Sequence, residues 1–180
     1  MKISLLPLSI LLAAGAIIAA PTTVRADSNQ FMIGPSASVF FPTSSKTADV
    51  FGKSWGSIGV GFGSANQAST EGSFSPYIDL LYNSHDGNDV FLFPLGVSYK
   101  KAFTSGPIGP YYAVQAFALG VDASAPKYNV HSGVNFGEGA RAALGLQFAK
   151  FAYVEAGYQV TSSVKSFNFS GTELEIGIRF

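Results

Sequence analysis

The stretch Glu173-Leu174-Glu175-Ile176-Gly177-Ile178-Arg179-Phe180 decides the fold. Leu174, Ile176, Ile178 and Phe180 fall on one side of an extended chain, and Glu173, Glu175, Gly177 and Arg179 on the other. Successive side chains of a β-strand point to opposite faces, so a period of two places these sets in different surroundings. The pattern recurs upstream. Phe91, Phe93, Leu95, Val97 and Tyr99 alternate with Leu92, Pro94, Gly96 and Ser98. Ala142, Leu144, Leu146 and Phe148 oppose Arg141, Ala143, Gly145 and Gln147, and Val154, Ala156, Tyr158 and Val160 oppose Glu155, Gly157 and Gln159. Ile58, Val60 and Phe62 do the same against Ser57, Gly59, Gly61 and Gly63. Phe31–Phe41 and Tyr111–Val121 carry apolar residues on both faces and read as strands with a weaker signature.

Turn-type residues divide the alternation into eight strands, near 31–41, 56–65, 74–82, 90–103, 110–121, 134–148, 152–161 and 168–180. The connections 42–55, 83–89, 122–133 and 162–167 are on average longer than 66–73, 104–109 and 149–151. Long loops at one end and short turns at the other suit a membrane barrel. Residues opposite one another in an antiparallel pair share a face. A three-residue turn at Ala149-Lys150-Phe151 therefore sets Phe148 against Ala152, Leu146 against Val154 and Gly145 against Glu155. Gly171 reads either as a bulge in the last strand or as the end of the loop before it.

Alternation alone does not say whether the apolar face meets a core or lipid. A soluble lipocalin-like cup, with its apolar face inward, is the competing architecture. Composition favours lipid outside. Only 12% of the residues are charged, while 14% are aromatic and 20 are glycine, against about 25% charged in ordinary soluble proteins. The face opposite the apolar one is rich in Gly, Ala and Ser, which suits a narrow lumen filled by side chains. Aromatics gather near strand ends: Phe74, Tyr99, Phe103, Tyr111, Tyr112, Phe148, Phe151 and Phe180 at one, and Phe40, Phe41, Trp55, Tyr82, Phe91, Phe136 and Tyr158 at the other. Two such girdles flank the apolar band of outer-membrane barrels. Sixteen strands of ~10 residues would need about 160 residues before any turn, more than the 154 that remain once residues 1–26 are set aside as a signal segment, which excludes a monomeric porin. The reading is an all-β, eight-stranded antiparallel up-and-down transmembrane β-barrel.

The N-terminus reads separately. Lys2 precedes an uncharged run from Ile3 to Ala20, and Val24-Arg25-Ala26 offers a small-residue exit. This is the pattern of a secretory signal, so residues 1–26 are expected to be cleaved and residues 27–180 to form the barrel domain. The formal net charge of the whole sequence is zero and becomes slightly negative when Lys2 and Arg25 leave. No basic stripe for nucleic acid is present. The chain has no cysteine and only His85 and His131, which removes thiol chemistry, disulfides and multi-histidine metal sites. No cofactor and no metal are expected.

The signal segment, the eight alternating segments and the ending Leu174–Phe180 resemble small outer-membrane barrels of the OmpA/OmpX type. The resemblance is architectural and covers the chain after the signal. It implies residence in the outer membrane of a Gram-negative-type bacterium, among outer-membrane lipid, as a monomer. It also implies that Ile176, Ile178 and terminal Phe180 form the signal read by the outer-membrane assembly machinery.

Three sets of residues carry candidate chemistry. Asp79, Lys100, Arg141, Glu155, Glu173, Glu175 and Arg179 all fall on the interior face and are expected to form a polar network there, because isolated burial of a charge is costly. Strand register sets Arg141 near Gln159 rather than beside Glu155, so ion pairs are left unassigned. Phe51 and Trp55 in loop 42–55, and Tyr128 in loop 122–133, are candidate contacts for a surface ligand, since exposed Trp and Tyr are common anchors. Ser84-His85-Asp86 and His131-Ser132 supply the residue types of a lipid A-modifying barrel enzyme. Adjacent side chains diverge, so a triad would need these loops to converge. The expected function is a structural or surface-interaction role without catalysis.

Overall fold

A computed structural model describes residues 31–64, 72–104, 108–148 and 152–178. The signal segment, Lys150, Phe151, Arg179 and Phe180 lie outside these residues. The chain runs through β1 (Phe31–Pro42), helix α1 (Ser45–Phe51), β2 (Trp55–Ser64), β3 (Ser73–His85), β4 (Asn88–Ala102) and β5 (Gly109–Ser124). A single 3-10 turn (Pro126–Tyr128) leads to β6 (Val134–Phe148) and β7 (Ala152–Thr161). A short hairpin of β8 (Ser163–Val164) and β9 (Phe167–Asn168) then precedes β10 (Gly171–Ile178). Eight of the strands close into one antiparallel barrel in the order β1-β10-β7-β6-β5-β4-β3-β2. This is the up-and-down order, closed by pairing of the first strand with the last.

Register follows the alternation. Phe148 pairs with Ala152, Leu146 with Val154 and Gly145 with Glu155, as a three-residue turn requires. One row of paired residues runs Phe41, Thr172, Tyr158, Ala142, Val114, Tyr99 and Phe74. It descends from the loop end of β1 to the turn end of β3, which is the strand tilt that a closed barrel needs. Every residue in that row points outward. The outer wall is apolar, with Val39, Ile58, Leu95, Val97, Val114, Leu144, Val160, Leu174 and Ile176 exposed. The inner wall holds the buried charges. This arrangement is the inverse of a lipocalin-like cup.

Small inward residues make room for large ones. The rings of Phe117, Tyr111 and Tyr153 lie over Gly139, Gly145 and Gly177, where any Cβ would collide with them. At Gly157 a Cβ would sit 2.8 Å from Nε and 2.9 Å from Cζ of Arg141.

The loop end departs from the sequence expectation. Segment 42–55 is a loop in the alternation scheme, yet it contains α1. Ser44 caps that helix, its Oγ accepting from Thr47 N–H at 3.3 Å, and Gly52 ends it at φ 92°. Thr47, Val50 and Phe51, spaced three and one apart, form its buried face. The expected loop 83–89 shrinks to a two-residue turn, Asp86-Gly87, whose positive φ values of 51° and 79° match the twist of the flanking strands. The expected loop 162–167 folds into the β8–β9 hairpin. Gly171 is the first residue of β10 rather than a bulge.

α1 and the small hairpin press on an apolar core that fills the loop-end half of the lumen. Phe40, Phe51, Trp55, Phe167 and Phe169 are its largest members essentially without solvent contact. Phe51 meets Phe167 edge-on at 4.9 Å and Phe40 tilts against Trp55 at 5.2 Å between ring centroids. This core explains the strands with apolar residues on both faces. The inward set of β5, Phe117, Leu119, Val121 and Ala123, and Phe40 of β1 belong to the cap.

One expectation needs correction. Phe40, Trp55 and Tyr111 are not girdle residues, because their strand parity turns them into the lumen, where they are buried. Phe74, Phe103, Tyr82, Phe136, Phe148 and Tyr158 do stand exposed on the outer wall. At the turn end Phe74–Tyr99–Tyr112–Phe103 form a continuous chain of ring contacts at 5.0–6.2 Å.

Candidate functional site

The lumen has two layers. Beneath the apolar cap lies a polar layer centred on Arg141, projected inward from β6 with no solvent-exposed side-chain surface. Its Nη1 donates to Gln115 Oε1 at 3.1 Å and pairs closely with Glu155 Oε1. Its Nε stands 3.0 Å from Glu173 Oε2, and its Nη2 3.6 Å from Glu175 Oε2. One guanidinium therefore faces three carboxylates from β7 and β10. Register does set Arg141 opposite Gln159. The expectation that Arg141 is not beside Glu155 fails because the long side chain reaches diagonally along β7 past Gly157, where no Cβ blocks it.

Glu155 is the best-satisfied acid. Besides Arg141 it takes Lys100 Nζ at 3.2 Å and the Tyr111 hydroxyl at 2.9 Å on Oε2. Lys100 also lies over the rings of Tyr111 and Tyr153, 5.5 and 5.3 Å from their centroids, a favourable setting for a cation. Ser38 donates to Glu173, and Tyr153 donates to Glu175 at 2.5 Å. Asp79 accepts from Ser57 Oγ at 2.5 Å and from the Leu80 N–H at 2.8 Å. Six of the seven interior residues singled out in the sequence thus line one lumen. Asp79 stands apart from the Arg141 cluster, and Arg179 lies outside the described residues.

The loop contacts divide. Tyr128 is half exposed on the 3-10 turn. Phe51 and Trp55 are not available to a partner at all. Both belong to the cap, and the Trp55 indole N–H donates to the Gly52 carbonyl at 2.8 Å. The loop end is tied together as well as packed. Lys165 Nζ donates to the carbonyls of His131 at 2.6 Å and Gly133 at 2.9 Å. Asp122 accepts from Ser132 Oγ and from the Gly133 N–H. Lys46 crosses to the Ser166 carbonyl at 3.1 Å.

The histidines do not assemble a nucleophile. His85 Nε2 faces Asp86 at 3.5 Å in solvent, while Ser132 donates to Asp122. Among the described residues no serine hydroxyl is hydrogen-bonded to a histidine. Nor is there any group of three His, Asp or Glu side chains placed to hold a metal ion.

Sequence reasoning passed over Glu138. It shares strand parity with Ala142 and Leu144 and stands exposed on the otherwise apolar outer wall of β6, two residues below Phe136. The signal was available, as a carboxylate on the wrong face of a clean alternation.

No protein-family model and no curated protein matches the chain. Among solved structures, Neisserial surface protein A (NspA) superposes with a TM-score of 0.55 at 17% identity, over 85% of this chain and 98% of that one. The N-terminal β-barrel domain of Pseudomonas aeruginosa OprF gives 0.47 at 16% identity, over 84% and 99%. Ail, the attachment invasion locus protein of Yersinia pestis, gives 0.43 at 11%, over 84% and 97%. In fold, the chain is a closed eight-stranded antiparallel barrel of the kind formed by small outer-membrane proteins such as NspA.

Proposed function

We propose that the protein is an integral outer-membrane barrel, closed to ion passage, that serves envelope structure and offers its tied loop end to surface interactions. The observation that carries this reading is the distribution of polarity: an apolar outer wall surrounds a lumen whose charges are buried and paired. In water such a wall would be an exposed hydrophobic patch far larger than soluble monomers carry. In a bilayer it is the surface lipid requires. The cap supports the closed state. Hydrated ions do not cross a packed aromatic core, so the purified barrel in a planar bilayer should show no single-channel steps. Regular conductance steps from the native protein would overturn the closed reading.

Ile176 and Ile178, exposed on β10, are assigned to recognition by the assembly machinery together with Phe180, which lies outside the described residues. Tyr128 and its ordered loop are assigned to partner contact. Replacing Pro126–Tyr128 by Gly-Ser-Gly should weaken binding to a surface partner while leaving barrel assembly unchanged. The catalytic reading has less support, because the histidines and serines of the loop end are engaged separately. Mass spectrometry of lipid A from cells with and without the protein should show the same species.

A further inference from the structure

Immediately beneath the cap, a cavity of about 20 Å³ opens between the strands, lined by Ser36, Tyr77, Asp79, Ser98, Lys100 and Gln115 among others. That is room for one water-sized occupant. Two of the lining groups lack partners. The Tyr77 and Ser98 hydroxyls are buried, at 7% and 1% exposure, and neither has a hydrogen-bond partner among the described residues. Buried polar atoms are almost always satisfied, so two orphans on one cavity point to an occupant.

Charge says what kind. The described interior residues include four carboxylates, on Asp79, Glu155, Glu173 and Glu175, against the two cations of Lys100 and Arg141. Glu155 engages both cations, and Glu173 and Glu175 share the guanidinium. Asp79 is left with hydrogen bonds alone and no cationic partner among the described residues. A buried carboxylate is paired, coordinates a metal or is held neutral by a proton. A water molecule would satisfy the two hydroxyls but bring no counter-charge to Asp79, which would then have to hold a proton.

We propose that this cavity is a binding site for one small monovalent cation of sodium size, held by the Tyr77 and Ser98 hydroxyl oxygens and the Asp79 carboxylate. The donors are hard oxygens, which suit an alkali ion. A divalent ion is disfavoured because the second carboxylate on the cavity, Glu175, is engaged by Tyr153 and Arg141, and by Lys100 on the same cavity wall, since calcium takes 6–8 oxygens and magnesium a near-octahedral set. The ion locks β3 to β4 directly under the cap.

The test compares unfolding midpoints of the detergent-folded full chain in sodium chloride and in choline chloride at equal ionic strength, choline being too large for the cavity. The expected result is a midpoint a few degrees higher in sodium, because a ligand bound only by the folded state stabilises it. In Tyr77→Phe/Ser98→Ala the sodium advantage should vanish without a lower midpoint in choline. Equal midpoints for the native chain would mean a water site only and would overturn the proposal, as would a sodium advantage that survives the double substitution. An advantage that appears only in Arg179→Gln would assign the compensating charge to Arg179 and equally overturn it. Should the double variant not fold, saturable sodium-23 line broadening by the folded native chain, lost on heat unfolding, carries the test, and its absence counts against the site.

Discussion

Arg141 shows how one side chain organises a lumen. It holds carboxylates from two neighbouring strands, and Gly157 leaves the space through which it does so. Removing one partner of a buried ion pair strands the others and costs about 3–5 kcal/mol. Arg141→Met should therefore lower the folding free energy in urea titrations by about that amount, because three acids lose their shared cation. Gly157→Ala should destabilise for a different reason, by pushing the guanidinium off Glu155. Loss of stability in Gly157→Ala that disappears when Arg141 is already Met would verify that the two act through one contact. That the charges face inward was legible from parity, since Asp79, Lys100, Arg141 and the three glutamates all fall opposite the apolar set. Their pairing was not. Register names the residue directly opposite, whereas a guanidinium reaches neighbours several residues along the next strand.

Among the elements, α1 and the β8–β9 hairpin form a second hydrophobic core that alternation alone does not announce. Its inward residues made β1 and β5 look ambiguous, because a strand that is apolar on both faces has lost its period. The helix left a trace in Ser44 as a cap and in Thr47, Val50 and Phe51 as one face, but seven residues are too few for a periodic signal. Truncating a buried Phe costs roughly 3–5 kcal/mol, so Phe51→Ala and Phe167→Ala should each destabilise the barrel by about that much. Neither would be costly if these rings were surface anchors. Trp55, the single tryptophan, reports on the same question. Buried in the cap, it should resist quenching by brominated lipid chains, while a Trp introduced at Phe136 should be quenched strongly. Efficient quenching of Trp55 would return it to the outer girdle and remove the cap from the account.

For the whole molecule, the fold class was readable because eight alternating segments, few charges and abundant glycine point to the same architecture. The register between β6 and β7 followed from parity alone. What was not readable is the division of the lumen into an apolar cap and a polar layer, since that depends on which loops fold back over the mouth. The outward assignment of the apolar face can be tested by charge. Leu144 is exposed on the outer wall, and arginine facing the bilayer midplane costs about 2–4 kcal/mol. Leu144→Arg should lose about that much in vesicle folding titrations, while Tyr128→Arg in the loop should lose almost nothing. Equal tolerance at the two positions would contradict a lipid-facing wall. The most direct measurement is simpler. An envelope fraction containing the protein, run on an SDS gel with and without boiling, should give a fast band unheated and a slower one after boiling. Recovery in the soluble periplasmic fraction, with no shift on heating, would contradict the account.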